Sequence, residues 1–105
     1  MFKRIAFRLK LKAGFAEEYK KRHDEIFPEL VDALKKVGVR DYSIWHDQET
    51  DHLFAILSLT EDHMIEKLPD FEIVKNWWMH MADVMEVNLD KSPVKVELRQ
   101  VFQLQ

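Results

Sequence analysis

The sequence predicts a ferredoxin-like α+β sandwich, an antiparallel sheet with both helical regions on one face. Three observations carry this expectation. Residues 3–12, 40–47, 53–59 and 94–104 read as strands, from alternating or continuous apolar side chains. Two longer stretches repeat their apolar positions at helical spacing instead. The resulting order is β-α-β-β-α-β, and with two glycines, three prolines and no linker or repeat, residues 1–105 make a single domain.

In the first strand Ile5, Phe7, Leu9 and Leu11 point one way and Arg4, Arg8, Lys10 and Lys12 the other, the pattern of a half-buried strand. In "AGFAEEYKKRHDEIFPELVDALKKVG", Tyr19, His23, Ile26/Phe27, Leu30 and Leu34 recur at i+3 and i+4, and Gly38 is a natural stop. Pro28 lacks an N–H and its ring crowds the carbonyl of Asp24, so a kink or a break into two segments is expected there. "RDYSIWHD" places Tyr42, Ile44 and His46 on one face and Ser43 and Trp45 on the other. "QETDH" is a polar turn and "LFAILSL" an apolar strand. A second helical region is interrupted at Pro69, with Asp70 the candidate N-cap of "FEIVKNWWMHMADVM"; Val74, Trp77/Trp78, Met81 and Met85 mark one face. After the loop "EVNLDKSP", "VKVELRQVFQL" (94–104) alternates as a last strand. The second face of the sheet needs a cover, and another copy of the chain is the simplest one, so a homodimer is expected.

Composition narrows the function. At 47% hydrophobic and 33% charged the chain is globular rather than disordered, and a net charge of −3 gives no general attraction to nucleic acid. There is no cysteine, hence neither a disulfide framework nor a thiolate metal site. "MFKRIAFRLK" has no apolar core of the kind a secretory signal needs, and no stretch approaches the ~20 apolar residues of a membrane span, so the expected location is cytoplasmic. His46, His52, His63 and His80 follow no metal-ligand spacing, and no serine sits in a nucleophile elbow.

What remains is an oddity on the first helix. Tyr19 and His23, four residues apart and so about 6 Å apart in rise, stand where the buried face begins. Leaving either polar tip buried without a partner costs on the order of 1–3 kcal/mol. Either the pair is satisfied at the rim of the core or it lines a wet pocket. Tyr42 from the second strand and Trp77 and Trp78 from the second helix favour the pocket, because the fold can bring all five to the cleft between helices and sheet. Adjacent tryptophans lie about 100° apart on a helix, so at least one belongs near its edge, as a pocket wall or a dimer contact. Aromatic walls with a few polar tips and no fixed charge suit a neutral, hydroxyl-rich ligand of carbohydrate size, and there is no glycine-rich loop for a phosphate.

These residues lie in motifs through which the chain resembles the L-rhamnose mutarotase family over essentially its whole length: "EEYKKRHDEIFPEL" (17–30), "DYSIW" (41–45), "WWMHMADVM" (77–85) and "NLDKSPVKVELRQVF" (88–102). The resemblance implies a dimeric ferredoxin-like domain without metal or organic cofactor. It implies that His23 is the catalytic histidine and that Tyr19, Tyr42, Trp77 and Trp78 bind the sugar. Three departures stand out: Phe27 where the family has tryptophan, the charged pair Asp24–Glu25, and Gln100 in place of a carboxylate. None falls on the five site positions.

The implied chemistry fits the residues. Exchanging anomers means taking the proton from O1 and protonating the ring oxygen, opening the ring, rotating C1–C2 and closing on the other carbonyl face. A histidine with a pKa near 6.5 can take and give that proton at neutral pH. Tyr19, Tyr42 or a water would serve the second oxygen. Two other classes compete. Cofactor-independent monooxygenases use a similar cleft on planar aromatic substrates and would consume dioxygen, and a non-catalytic sugar-binding module would retain affinity without exchange.

Overall fold

Alternation in the first strand decides which side of the sheet is filled. In the computed structural model, which describes residues 3–104, β1 (Lys3–Lys10) pairs antiparallel with β3 (His52–Leu59) along its full length, from Lys3 opposite Leu59 to Lys10 opposite His52. β2 (Val39–His46) lies on the far side of β3, and β4 (Val96–Leu98) on the far side of β1, giving the antiparallel order β2-β3-β1-β4. This is the arrangement expected of the split β-α-β-β-α-β fold. Leu9, Leu11, Leu53, Leu57 and Leu59 form the buried floor of the inner face. Over it pack α1 (Ala16–Asp24), α2 (Pro28–Lys36) and α3 (Glu72–Met81), contributing Tyr19, Leu30, Val74, Trp77 and Met81 to the core.

The proline in the first helical region breaks it rather than bending it. α1 stops at Asp24, and Pro28 becomes the first residue of α2, the position where its missing N–H costs nothing. The carbonyl of Phe27 accepts from Leu30 and Val31 to open the new helix. α2 ends one residue before Val37, and Gly38 adopts φ +99° as the chain turns into β2. A Cβ at Gly38 would sit 2.5 Å from Thr60 Oγ1 and 2.9 Å from His63 Cβ. The crowding follows from the Thr60 N–H donating to the Gly38 carbonyl at 2.9 Å. Gly38→Ala is therefore expected to destabilise the protein by about 1–3 kcal/mol, read as a lower urea midpoint at unchanged slope. An unchanged midpoint would show that the 60–63 turn yields freely.

Two expectations about element ends are corrected. Asp70 is not the N-cap of α3: it closes a 3₁₀ helix (Ile65–Asp70) that contains Pro69. A residue committed to one helix cannot take the extended conformation of a cap, and Phe71, at φ −80° and ψ 128°, does so instead without a side-chain bond. The last strand is three residues long rather than eleven; beyond Leu98 the described chain has no regular structure, and Val101, Phe102 and Leu104 are exposed. Alternation gives that segment an apolar face, and a face becomes a strand only where there is a surface for it to lie on.

The outer face of the sheet is apolar and open. One row across it reads Ser43, Ile56, Ala6, Leu98 and the next Trp45, Phe54, Arg8, Val96. Trp45 keeps 65% of its surface exposed, and Ile56, Val96 and Leu98 are exposed as well.

Candidate active site

Because α1 stops at Asp24, its last turn faces α3 across the inner sheet surface, and the two helices bring their aromatic residues together. The Tyr19 and His23 rings lie 4.4 Å apart between centroids and tilted by 31°. His23 meets Trp77 at 5.2 Å, nearly perpendicular, and Phe27 meets Trp77 edge-on at 5.0 Å. Trp77 is buried while Trp78, one residue on, is half-buried at the helix edge, as the 100° step between them requires. Tyr42 reaches the same region from β2, close enough for its charge to disfavour ionisation of Tyr19. Its placement depends on a bulge: between Arg40 and Ser43 the strand carries one residue more than β3 opposite, and Asp41 takes φ +51°. All five side chains line one cleft of about 1230 Å³ between helices and sheet, so a pyranose fills only part of it.

The hydrogen bonding at His23 fixes its tautomer. Nδ1 lies 3.1 Å from the Tyr19 carbonyl, which can only accept, so Nδ1 carries the hydrogen and Nε2 keeps the lone pair of the neutral ring. Desolvation lowers the His23 pKa below its ordinary value, against smaller upward pulls from that carbonyl and from Asp24. The imidazole is thus a neutral base at pH 7. Burial moves both phenols the other way: Tyr19 is raised well above the usual tyrosine range, with Tyr42 adding to it, and Tyr42 is pushed up to about 12. Tyr42 as a residue is 39% exposed, but its hydroxyl is the desolvated part. Both phenols stay protonated and able to donate.

The expectation of a site without fixed charge holds for the aromatic floor but not for the rim. Asp24, Asp41, Lys91 and Lys95 also line the cleft, brought there by the end of α1, the β2 bulge and the segment leading into β4. Sequence reasoning treated "EVNLDKSP" as a plain loop, yet Asn88, Lys91, Ser92 and Pro93 form part of the wall. The loop is braced internally. Asn88 donates through Nδ2 to Ser92 Oγ at 3.0 Å, the Ser92 N–H donates to Asp90 at 2.9 Å, and Lys91 is held at φ +73°. The clustered Asn, Asp and Ser around one residue were the available signal. His80 was also missed as a member of the aromatic group; it lies 5.5 Å from Trp77 and 5.3 Å from Phe27. Among the described residues there is no group of three or more His, Asp or Glu placed to hold a metal ion, and no helix long and apolar enough to cross a membrane.

Comparison with known proteins identifies the family. The sequence model of the family described as L-rhamnose mutarotase matches residues 4–104. The chain belongs to the L-rhamnose mutarotase family. The L-rhamnose mutarotase of Brucella anthropi is 52% identical over 101 residues, covering 96% of this chain and 95% of its own length, and that of Rhizobium etli is 50% identical over 99 residues, covering 94% and 93%. The crystal structure of the L-rhamnose mutarotase of Formosa agariphila superposes with a TM-score of 0.91 at 47% identity, covering 98% of this chain and 99% of that one. A protein of Pseudomonas aeruginosa, 13% identical, superposes with a TM-score of 0.57 over 94% of this chain and 93% of its own, a likeness of fold alone. Within a mutarotase-family fold, Phe27 is half-buried and its ring packs against both Trp77 and His80.

Proposed function

We propose that this chain is an L-rhamnose mutarotase, a cytoplasmic homodimeric isomerase that exchanges the α and β anomers of L-rhamnopyranose with His23 as its acid/base. The observation that carries the reading is the His23 ring itself. Its Nε2 lone pair is fixed by the Nδ1 bond to Tyr19, it is neutral at pH 7, and it stands beside aromatic walls and two protonated phenols in one cleft. Nε2 takes the O1 proton as C1–O1 becomes a carbonyl and the C1–O5 bond breaks with its electron pair on O5. A phenol of Tyr19 or Tyr42 donates a hydrogen bond to O5 as charge develops there. O1 and O5 share C1, so the imidazolium can return the proton to O5. Rotation about C1–C2 and the reverse steps give the other anomer. Trp77 and Trp78 offer ring faces to the sugar's C–H faces. The two open rows that carry Trp45, Ile56, Val96 and Leu98 support the homodimer, because a second sheet laid on them would bury these side chains.

Saturation-transfer NMR on L-rhamnose with catalytic amounts of protein tests the activity: irradiating one anomeric proton should attenuate the other beyond the buffer rate. The pH dependence has a definite sign. The base form of His23 is required and its pKa is depressed, so catalysis should be retained at neutral pH and lost as pH falls through a midpoint below 6.5. After the buffer rate is subtracted, no decline should appear near pH 10, where ordinary tyrosines ionise, because both phenols are raised. Absence of exchange at any pH, or a rate that grows as His23 becomes protonated, would overturn the proposal.

A further inference from the structure

Arg22 is the neighbour of His23 on α1, and a step of about 100° turns its side chain away from the cleft, toward the end of α3. There it commits four of its five N–H donors. Nε donates to Glu18 at 2.7 Å, one terminal nitrogen donates to both the His80 carbonyl at 2.6 Å and Asp83 Oδ1 at 2.7 Å, and the other to Asp83 Oδ2 at 3.3 Å. The side chain is only 16% exposed. The nearby pair Lys20–Asp24, at 2.8 Å, has both partners mostly exposed and ties α1 only to itself, the kind of pair that contributes little. The Arg22 contacts to His80 and Asp83 are of another kind, because they join segments far apart in the chain.

The acceptors are also anchored. The His80 carbonyl belongs to the last turn of α3, where helical carbonyls lack intrahelical partners. Asp83 stands between Met81 and Val84, both buried. The following residues are pinned to the end of β1: Lys12 N–H donates to the Val84 carbonyl, Glu86 N–H donates to the Lys10 carbonyl, and Leu11 bridges to Met85. One fork therefore ties the turn carrying His23 to the helix end carrying Trp77 and to the sheet beneath them. A lysine, with a single nitrogen, cannot span the same acceptors.

We propose that Arg22, through Asp83 and the His80 carbonyl, is the positioning residue that sets the His23 imidazole against Trp77 and so aims Nε2 into the cleft. In the mutarotase reading, on which the catalytic consequence rests, Arg22 touches no sugar and acts only through His23. Displacement of a catalytic group by about 1 Å can cost on the order of 100-fold in rate, so Arg22→Gln should lower kcat for anomer exchange about 10- to 100-fold with a much smaller change in KM. It should also change His23 directly. With the ring freed toward solvent, its pKa, followed by NMR titration of the imidazole, should climb back toward 6.5. The titratable and charged groups around that ring are Tyr19, Asp24 and Arg22 itself on α1, Tyr42 from β2 across the cleft and, across Trp77, His80 on α3.

The experiment compares the wild type with Arg22→Gln, Asp83→Asn and the double variant, recording the His23 titration, kcat and KM. Asp83→Asn leaves the bonds to Glu18 and His80 in place, so it should fold even if Arg22→Gln does not, and should move kcat and the titration in the same direction by less. The double variant should be no worse than Arg22→Gln alone. A lowered melting temperature with the His23 titration and kcat of the folded protein unchanged in Asp83→Asn and Arg22→Gln would reduce Arg22 to a structural tie and overturn the proposal. The titration needs no sugar, so it separates the two readings: a wild type without exchange removes the mutarotase assignment, whereas an unmoved His23 titration removes the positioning role.

Discussion

Replacing His23 by alanine is expected to lower kcat for anomer exchange about 10²–10⁴-fold, the usual contribution of a positioned general acid/base. The fold should survive, because His23 is half-buried at the cleft and the hydrogen bond of its ring returns to its own helix. Affinity for L-rhamnose should be largely retained, since the aromatic walls remain. The measurement is saturation transfer between the two anomeric protons, with sugar binding followed separately by tryptophan fluorescence. A variant that keeps full exchange would move the proton-transfer role to Tyr19 or Tyr42, and one that loses binding and exchange together would make His23 a ligand contact. Glutamine at this position would keep a polar tip but not the basicity, and should be as inactive as alanine.

Trp77→Ala should be the most destabilising change at the site. The side chain is 9% exposed and contacts His23, Phe27 and His80 through its ring, so truncation leaves a cavity in the main core. Large aromatic truncations of this kind cost about 3–5 kcal/mol, against a total stability of about 5–15 kcal/mol for domains in general. The protein would be left marginal, and its loss of activity would reflect unfolding as much as a missing wall. Trp78→Ala separates the two effects. That residue is only half-buried, so its removal should cost much less stability while raising KM for the sugar. Urea unfolding of both variants decides the matter: a Trp77→Ala protein within about 1 kcal/mol of wild type would mean that the core collapses around the gap.

The contrast between these tryptophans was legible before the structure, and so was much of the rest, for identifiable reasons. A helix cannot point adjacent residues the same way, Pro28 cannot continue the helix before it, and Ile5, Phe7, Leu9 and Leu11 cannot alternate without defining a buried face. Such statements are local. What escaped was set by distant parts of the chain. Arg22 shows its Glu18 partner in sequence at i−4, but Asp83 lies sixty-one residues away. Lys91 and Asn88 belong to a loop whose composition marks a braced turn, yet nothing in that composition says which cleft it borders. The end of the last strand was misjudged because "VKVELRQVFQL" gives a period and not a partner, and β1 accepts only Val96–Leu98. The placing of Asp70 failed by one residue, a matter of which of two neighbours is free to adopt an extended backbone.

The bulge at Asp41 gives β2 two phases joined by a single residue. Val39 and Tyr42 both face the helices although an odd number of steps separates them, and every side chain after the joint inherits the second phase. Loss of Asp41 alone would remove the surplus residue: Val39 and Tyr42 would stand two steps apart, Tyr42 would pair with Leu57 in regular register, and Val39, Tyr42, Ile44 and His46 would all still face inward. Loss of Ser43 would instead use up the surplus on the wrong side of Tyr42, setting Asp41 opposite Leu57 and Tyr42 opposite Ile56 on the outer face. Two one-codon deletions, two residues apart, would thus have opposite consequences for the wall of the cleft. That wall is encoded by where the extra residue falls as well as by the kinds of residue around it.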